Sequence, residues 1–131
     1  MMENKDDTGH DEQHPSVWKL VVFQKAYQAA LDVHKIALGF PQHERFELSS
    51  QLRRSSKGIC ANLTEGRGRQ QGSQAEFRRF VLMALGSADE TLLWIRFARD
   101  LGYLDTSEHD DLASRYAEIA RMLNGLVSKL R

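Results

Sequence analysis

At 131 residues, with 41% hydrophobic and 27% charged side chains and a formal net charge of zero, the chain has the size and balance of one folded domain and not of a disordered or fibrous polymer. Its one cysteine, Cys60, excludes an internal disulfide framework and any cysteine-based metal spacing. No apolar run reaches the roughly 20 residues that cross a bilayer, and the N-terminus lacks the basic-then-apolar order of a signal peptide, so a reducing, cytoplasmic setting is expected.

Residues 1–15 carry no apolar period and are rich in Asp, Glu, Gln and His; they read as a disordered acidic tail. The rest, 16–131, reads as one helical domain. A first helix is expected over 16–38, with Ser16 as its N-cap and a stripe of Leu20, Phe23, Tyr27, Leu31, His34 and Leu38 at steps of three and four. Gly39 and Pro41 should end it, the glycine by taking a left-handed cap. A second helix is expected over 44–65 on Leu48, Leu52, Ile59 and Leu63. There the small Ser55 and Ser56 would let a neighbour approach closely, and Gly66 and Gly68 would stop the helix.

A basic loop over 66–72 leads to Ser73, which with Glu76 has the spacing of a capping box. The third helix, over 74–101, carries a core stripe of Phe77, Val81, Ala84, Ala88, Leu92 and Ile95. Phe80, Leu85, Trp94 and Phe97 fall off that stripe, so this helix should have neighbours on two sides. Gly102 closes it. Asp105, Thr106 and Ser107 offer caps for a fourth helix, whose stripe is Leu112, Tyr116, Ile119, Leu123, Leu126 and Leu130. Four long helices on short connections, with no run of alternating β-branched residues, give an all-α fold. The expected form is an antiparallel up-down-up-down four-helix bundle.

The neutral total hides a segregated field. Five acids oppose Lys5 within the first fourteen residues, and six acids face four bases from 100 to the end. Between 45 and 79, eight bases face Glu47, Glu65 and Glu76. Seven of those bases are candidate nucleic-acid contacts: Arg53, Arg54, Lys57, Arg67, Arg69, Arg78 and Arg79. Guanidinium forks match pairs of phosphate oxygens, and a local basic field draws polyanions even on a neutral protein. The competing reading is a solvated face laced with ordinary ion pairs. No aromatic residues are expected among these charges, so base stacking is not.

Catalytic chemistry is not expected. Cys60 lies between Ile59 and Ala61, with no histidine near in sequence, and reads as packing. Asp89 and Glu90 are adjacent and diverge around a helix, so they do not pair as general acid and base. The histidines (His10, His14, His34, His43, His109) do not make a metal spacing, and no cofactor is implied. The glycines of 66–72 follow no strand and lack a Gly-Lys-Ser/Thr ending, so they are not a phosphate loop.

Five short stretches occur in a familiar order: Ser50-Gln51-Leu52-Arg53-Arg54, Asn62-Leu63-Thr64-Glu65-Gly66, Phe77-Arg78-Arg79-Phe80, Ala84-Leu85-Gly86-Ser87-Ala88-Asp89-Glu90 and Leu101-Gly102-Tyr103. Over 17–131 the chain resembles the four-helix-bundle proteins encoded in intervening sequences of bacterial 23S ribosomal RNA genes. That family is similar in turn to the accessory variability determinant proteins of diversity-generating retroelements. The resemblance implies a ring-shaped homopentamer with a basic surface; for the retroelement relatives it implies binding to nucleic acid and to a reverse transcriptase. Arg53, Arg54 and Arg79 fall on the family's basic positions. The functional expectation is a non-enzymatic, oligomeric adaptor that binds RNA or DNA through phosphates with low sequence specificity. The alternative is a homo-oligomeric scaffold that recruits a partner such as a reverse transcriptase without touching nucleic acid.

Overall fold

The computed structural model describes residues 15–70 and 73–130. Residues 1–14 of the expected tail, Gln71 and Gly72 of the basic loop, and Arg131 lie outside the described residues. The elements are a short turn of helix α1 (Pro15–Trp18), α2 (Val21–Leu38), a 3-10 turn (Gln42–Glu44), α3 (Leu48–Arg69), α4 (Gln74–Asp100) and α5 (Thr106–Lys129). The described residues are thus all-helical, with four long helices and no strand. No helix among them is long and apolar enough to cross a membrane.

The polar signals set the starts of α4 and α5. Ser73 Oγ accepts the Glu76 N–H at 3.1 Å, although the Glu76 carboxylate turns to Arg79 and leaves the box half made. Asp105 and Glu108 form the full reciprocal box, with bonds of 2.7 and 2.9 Å. Gly102, at φ +85°, ends α4 in the left-handed region that suits glycine.

Three expectations at helix ends need correction. The first helix does not start at Ser16: the chain makes the separate turn α1, and Leu20 takes the N-cap position of α2. Trp18 folds back onto Phe23 and Tyr27, with ring centroids 4.8 and 4.9 Å apart. Gly39 is right-handed, at φ −86°, and its N–H bonds the Ile36 carbonyl in a tight last turn. The second helix begins at Leu48 and not at Glu44. The Glu44 carboxylate instead accepts from the Leu48 N–H at 3.2 Å and from the Tyr103 hydroxyl at 2.8 Å, so it serves as an acceptor for the first turn of α3.

The largest correction concerns Gly66 and Gly68, which do not end the second helix; α3 runs through both to Arg69. Gly66 is a contact residue: a Cβ there would stand 2.6 Å from the Cβ of Phe80. Gly58, two turns earlier, faces Ser87 of α4 in the same way, at 2.9 Å. Between these glycines and the start of α3, the Ser55 and Thr91 hydroxyls lie 2.9 Å apart, and Thr91 donates to the Ser87 carbonyl at 2.8 Å. Small residues therefore bring α3 and α4 unusually close, and the buried hydroxyls satisfy one another.

Each long helix touches two others: α2 with α3, α3 with α4, α4 with α5, and α5 with α2. Tyr116, Phe77, Leu52, Ile59, Leu63, Ile95 and Leu123 are fully buried between them. On α2 the expected stripe is displaced. Its core face is the small side, Val22, Ala26, Ala29, Val33 and Ala37, whereas Tyr27, Leu31 and Leu38 remain exposed. Of the expected residues only Phe23 is buried. A face of alanines buries less area per residue but lets the backbone of α2 approach, and Ser49 Oγ of α3 donates to the Ala37 carbonyl at 2.8 Å. Across the other seam, Arg115 of α5 reaches Asp32 at 2.8 Å and Lys25 reaches Glu118 at 3.6 Å.

Candidate nucleic-acid interface

The seven basic candidates do not share one spot. Arg53 and Arg69 are both on α3, but sixteen residues at the helical rise separate them by about 24 Å along its axis. The structure divides the set into a group near the start of α3 and a group at its far end.

In the first group, Arg53 is used internally. Its Nε donates to Ser49 Oγ at 3.2 Å and its terminal nitrogen to the Arg45 carbonyl at 3.0 Å. Lys57 points to α2, where its Nζ lies 3.0 Å from Nδ1 of His34. Partial burial lowers the His34 pKa, and the charges of Lys57 and Arg53 lower it further, so at neutral pH its ring nitrogen serves Lys57 as a neutral acceptor. Arg54 is exposed on the other flank of α3.

The second group gathers where α3 ends and α4 begins. Arg69 and Arg79 come from different helices and converge on one ring, with guanidinium carbons 5.5 and 4.7 Å from the Phe80 centroid. Arg67 lies over Phe77 at 5.3 Å. Arg69 bonds Glu65 at 2.8 Å. Arg79 grips Glu76 with two nitrogens, at 3.1 and 3.2 Å; this fork holds the Glu76 carboxyl below its usual range and raises the Arg79 guanidinium. Arg78 is turned inward, and its Nε donates to the Val127 carbonyl near the end of α5 at 3.3 Å. Arg67 has no carboxylate partner among the described residues.

Phe77 and Phe80 are therefore the residues that reading the charges alone missed. Aromatic rings do interleave with the arginines, and the sequence Phe77-Arg78-Arg79-Phe80 carried the signal. The rings are nonetheless buried and serve as shelves for guanidinium groups. They offer no free face for stacking a base.

What this end can do chemically is hold anions. Three guanidinium groups, Arg67, Arg69 and Arg79, are held over rings near helix termini beside two carboxylates, while Arg78 is engaged by the Val127 carbonyl. Arg67 and Arg69 also complement the C-terminal dipole of α3, a structural role that needs no ligand. Nothing here supports catalysis by the thiol: Cys60 is half-buried between α2 and α3, and burial pushes its pKa up to about 12. No group of three or more His, Cys, Asp or Glu among the described residues is arranged to hold a metal.

The comparisons with known proteins agree with the fold. The chain is similar to a crystallised protein of unknown function from the S23 ribosomal protein family of Bacteroides thetaiotaomicron VPI-5482. That likeness has 25% identity and a TM-score of 0.73, and it covers 82% of this chain and 98% of the other. No curated protein matches the sequence. Residues 18–125 match the family described as 23S rRNA-intervening sequence protein. With the match covering the first three long helices and most of the fourth, the chain belongs to the 23S rRNA-intervening sequence protein family.

Proposed function

We propose that this chain is a non-enzymatic adaptor, an antiparallel up-down-up-down protomer of a homo-oligomeric ring, that binds the phosphate backbone of RNA or DNA at the end of α3. The observation that carries the reading is the convergence of Arg69 and Arg79 on the Phe80 ring, with Arg67 beside them over Phe77. Guanidinium groups immobilised over rings lose less freedom on meeting a phosphate than free surface side chains do. The antiparallel reading is supported by contacts that run in opposite senses along neighbouring helices: Ser49 with Ala37, Gly66 with Phe80, Arg78 with Val127. The ring of five is what the family resemblance implies.

Binding of this kind has low base specificity and falls steeply with salt, because each phosphate contact releases about one counterion. The test is fluorescence anisotropy with a structured RNA and a duplex DNA at two salt concentrations. Arg67→Ala/Arg69→Ala/Arg79→Ala should abolish binding and flatten the salt slope. Arg53→Ala/Arg54→Ala/Lys57→Ala should keep most of it, since Arg53 and Lys57 are engaged inside the protomer. Absence of binding by the wild type at low salt overturns the reading and favours the alternative, a scaffold that recruits a protein such as a reverse transcriptase.

A further inference from the structure

We infer that the acidic segment 3–12 docks on the arginine end of its own chain, where its carboxylates compete with phosphate for Arg67, Arg69 and Arg79. The inference rests on the phosphate-binding reading above and adds what regulates that site. The segment lies outside the family match, which begins at residue 18, so the device belongs to this chain and not to the matched family region.

The segment joins the fold at the arginine end. Contacts between α2 and α3 step in opposite senses: Ala37 meets Ser49, His34 meets Lys57, and Tyr27 and Leu31 lie beside Cys60. Continuing that register sets the start of α2 level with the end of α3. The turn α1 sits there, packed on both α2 and α3 with Val17 buried. Glu12 and Asp11 are three and four residues before Pro15, and Asp6 is nine before it. A chain spans at most about 3.6 Å per residue, so Glu12 reaches about 11 Å from Pro15 and Asp6 about 32 Å. Four packed helices, each about 10–12 Å across, make an end roughly 20–24 Å wide. Several of these carboxylates are therefore within range of Arg67, Arg69 and Arg79.

Charge selects this end. The segment holds Glu3, Asp6, Asp7, Asp11 and Glu12 against Lys5 alone. At the arginine end, Lys19 before α2 and Lys129 of α5 are exposed and add to the arginines. Across 17–27, 62–70, 73–82 and 120–130 the only acids are Glu65 and Glu76, and Arg69 and Arg79 already hold those two. The next acid on α5, Glu118, is further in and paired with Lys25. Arg67 is left without a carboxylate among the described residues. The opposite end differs: Asp105, Glu108, Asp110 and Asp111 stand exposed at the start of α5 and would repel the segment. Carboxylates accept a guanidinium fork as phosphate oxygens do, and a short tether holds them at an effective concentration of about millimolar. A nucleic acid must displace them, so the segment lowers affinity, most of all at low salt where charges are least screened.

The test uses the full chain. Glu3→Gln/Asp6→Asn/Asp7→Asn/Asp11→Asn/Glu12→Gln neutralises the segment, and a fluorescein-labelled hairpin RNA is titrated by anisotropy. The neutral variant should bind at least tenfold more tightly than wild type in about 50 mM salt, and the gap should close towards about 300 mM. Position is read separately on a Cys60→Ala background. A short bis-maleimide should join Thr8→Cys to Gln70→Cys within one chain at least fivefold faster when the five acids are present than when they are neutralised. The pair Thr8→Cys and Ser107→Cys should show no such dependence. Equal RNA affinity of wild type and neutral variant overturns the inference and leaves the phosphate reading standing. Tighter binding without acid-dependent cross-linking also overturns it, since the change in net charge then suffices. No RNA binding by either protein removes the phosphate reading and the competition with it, whatever the cross-link shows.

Discussion

Gly66 of α3 and Phe80 of α4 meet so closely that the first carbon of any side chain at position 66 would stand 2.6 Å from the Phe80 Cβ and 3.0 Å from a ring carbon of Phe77. A Cβ is fixed to its backbone, so Gly66→Ala must push α3 and α4 apart or tilt Phe80 out of its rotamer. Overpacking of this kind costs about 1–3 kcal/mol, offset by the helix propensity of alanine, about 1 kcal/mol. A net loss of up to about 2 kcal/mol is expected in urea denaturation. Gly68 has open space around it, so Gly68→Ala should be neutral or stabilising by up to about 1 kcal/mol. Equal responses at the two positions would contradict the close contact.

Tyr116 is fully buried, and its hydroxyl has no hydrogen-bond partner among the described residues. Burial raises its pKa well above the ordinary phenol value. An unsatisfied buried polar group costs about 1–3 kcal/mol. Tyr116→Phe keeps the ring and removes the hydroxyl, so it should raise stability by about 1 kcal/mol without altering the fold. Thermal and urea unfolding of the variant measure this; a loss of more than about 1 kcal/mol would show that the hydroxyl is in fact bonded.

Asp32 and Arg115 join α2 to α5 at 2.8 Å, and the hydrogen bond from Arg115 holds the Asp32 carboxyl below its ordinary value. A carboxylate whose folded pKa is depressed adds stability that is present above its unfolded pKa and lost as pH falls through the folded one. Asp32→Asn should therefore cost about 0.5 kcal/mol at neutral pH, since the pair is partly solvated. The difference from wild type should shrink as pH falls below the ordinary carboxylate range and through the depressed folded pKa. A difference that persists in acid would assign the effect to packing.

Cys60 should react slowly. With its pKa pushed up to about 12 by burial, little thiolate exists at pH 8, and alkylation with iodoacetamide should run at least about tenfold slower in the folded protein than in urea. Equal rates would place the thiol in open solvent.

Helix number and most boundaries were legible because local chemistry sets them. Ser73 and Asp105 hold orphan N–H groups whatever lies around them, and Gly102 supplies a conformation that few other residues adopt. The stripes of the third and fourth helices were legible too: Phe77, Val81, Ala84, Ala88, Ile95, Leu112, Tyr116, Ile119 and Leu123 are all buried, since large apolar residues at helical spacing leave few alternatives.

Tertiary contact decided the rest. A glycine that ends a helix and a glycine that admits a second helix look alike in sequence; Gly66 is the second kind only because Phe80 stands opposite. On α2 the alanine face won over the larger side chains because close approach to α3 favours small residues, and that choice alone leaves Tyr27 and Leu31 outside. The density of arginines along the chain was visible, but not its division. A helix is a rod, and residues sixteen apart lie at its opposite ends, so only the packing of α3 against α4 could bring Arg69 to Arg79 and leave Arg53 behind.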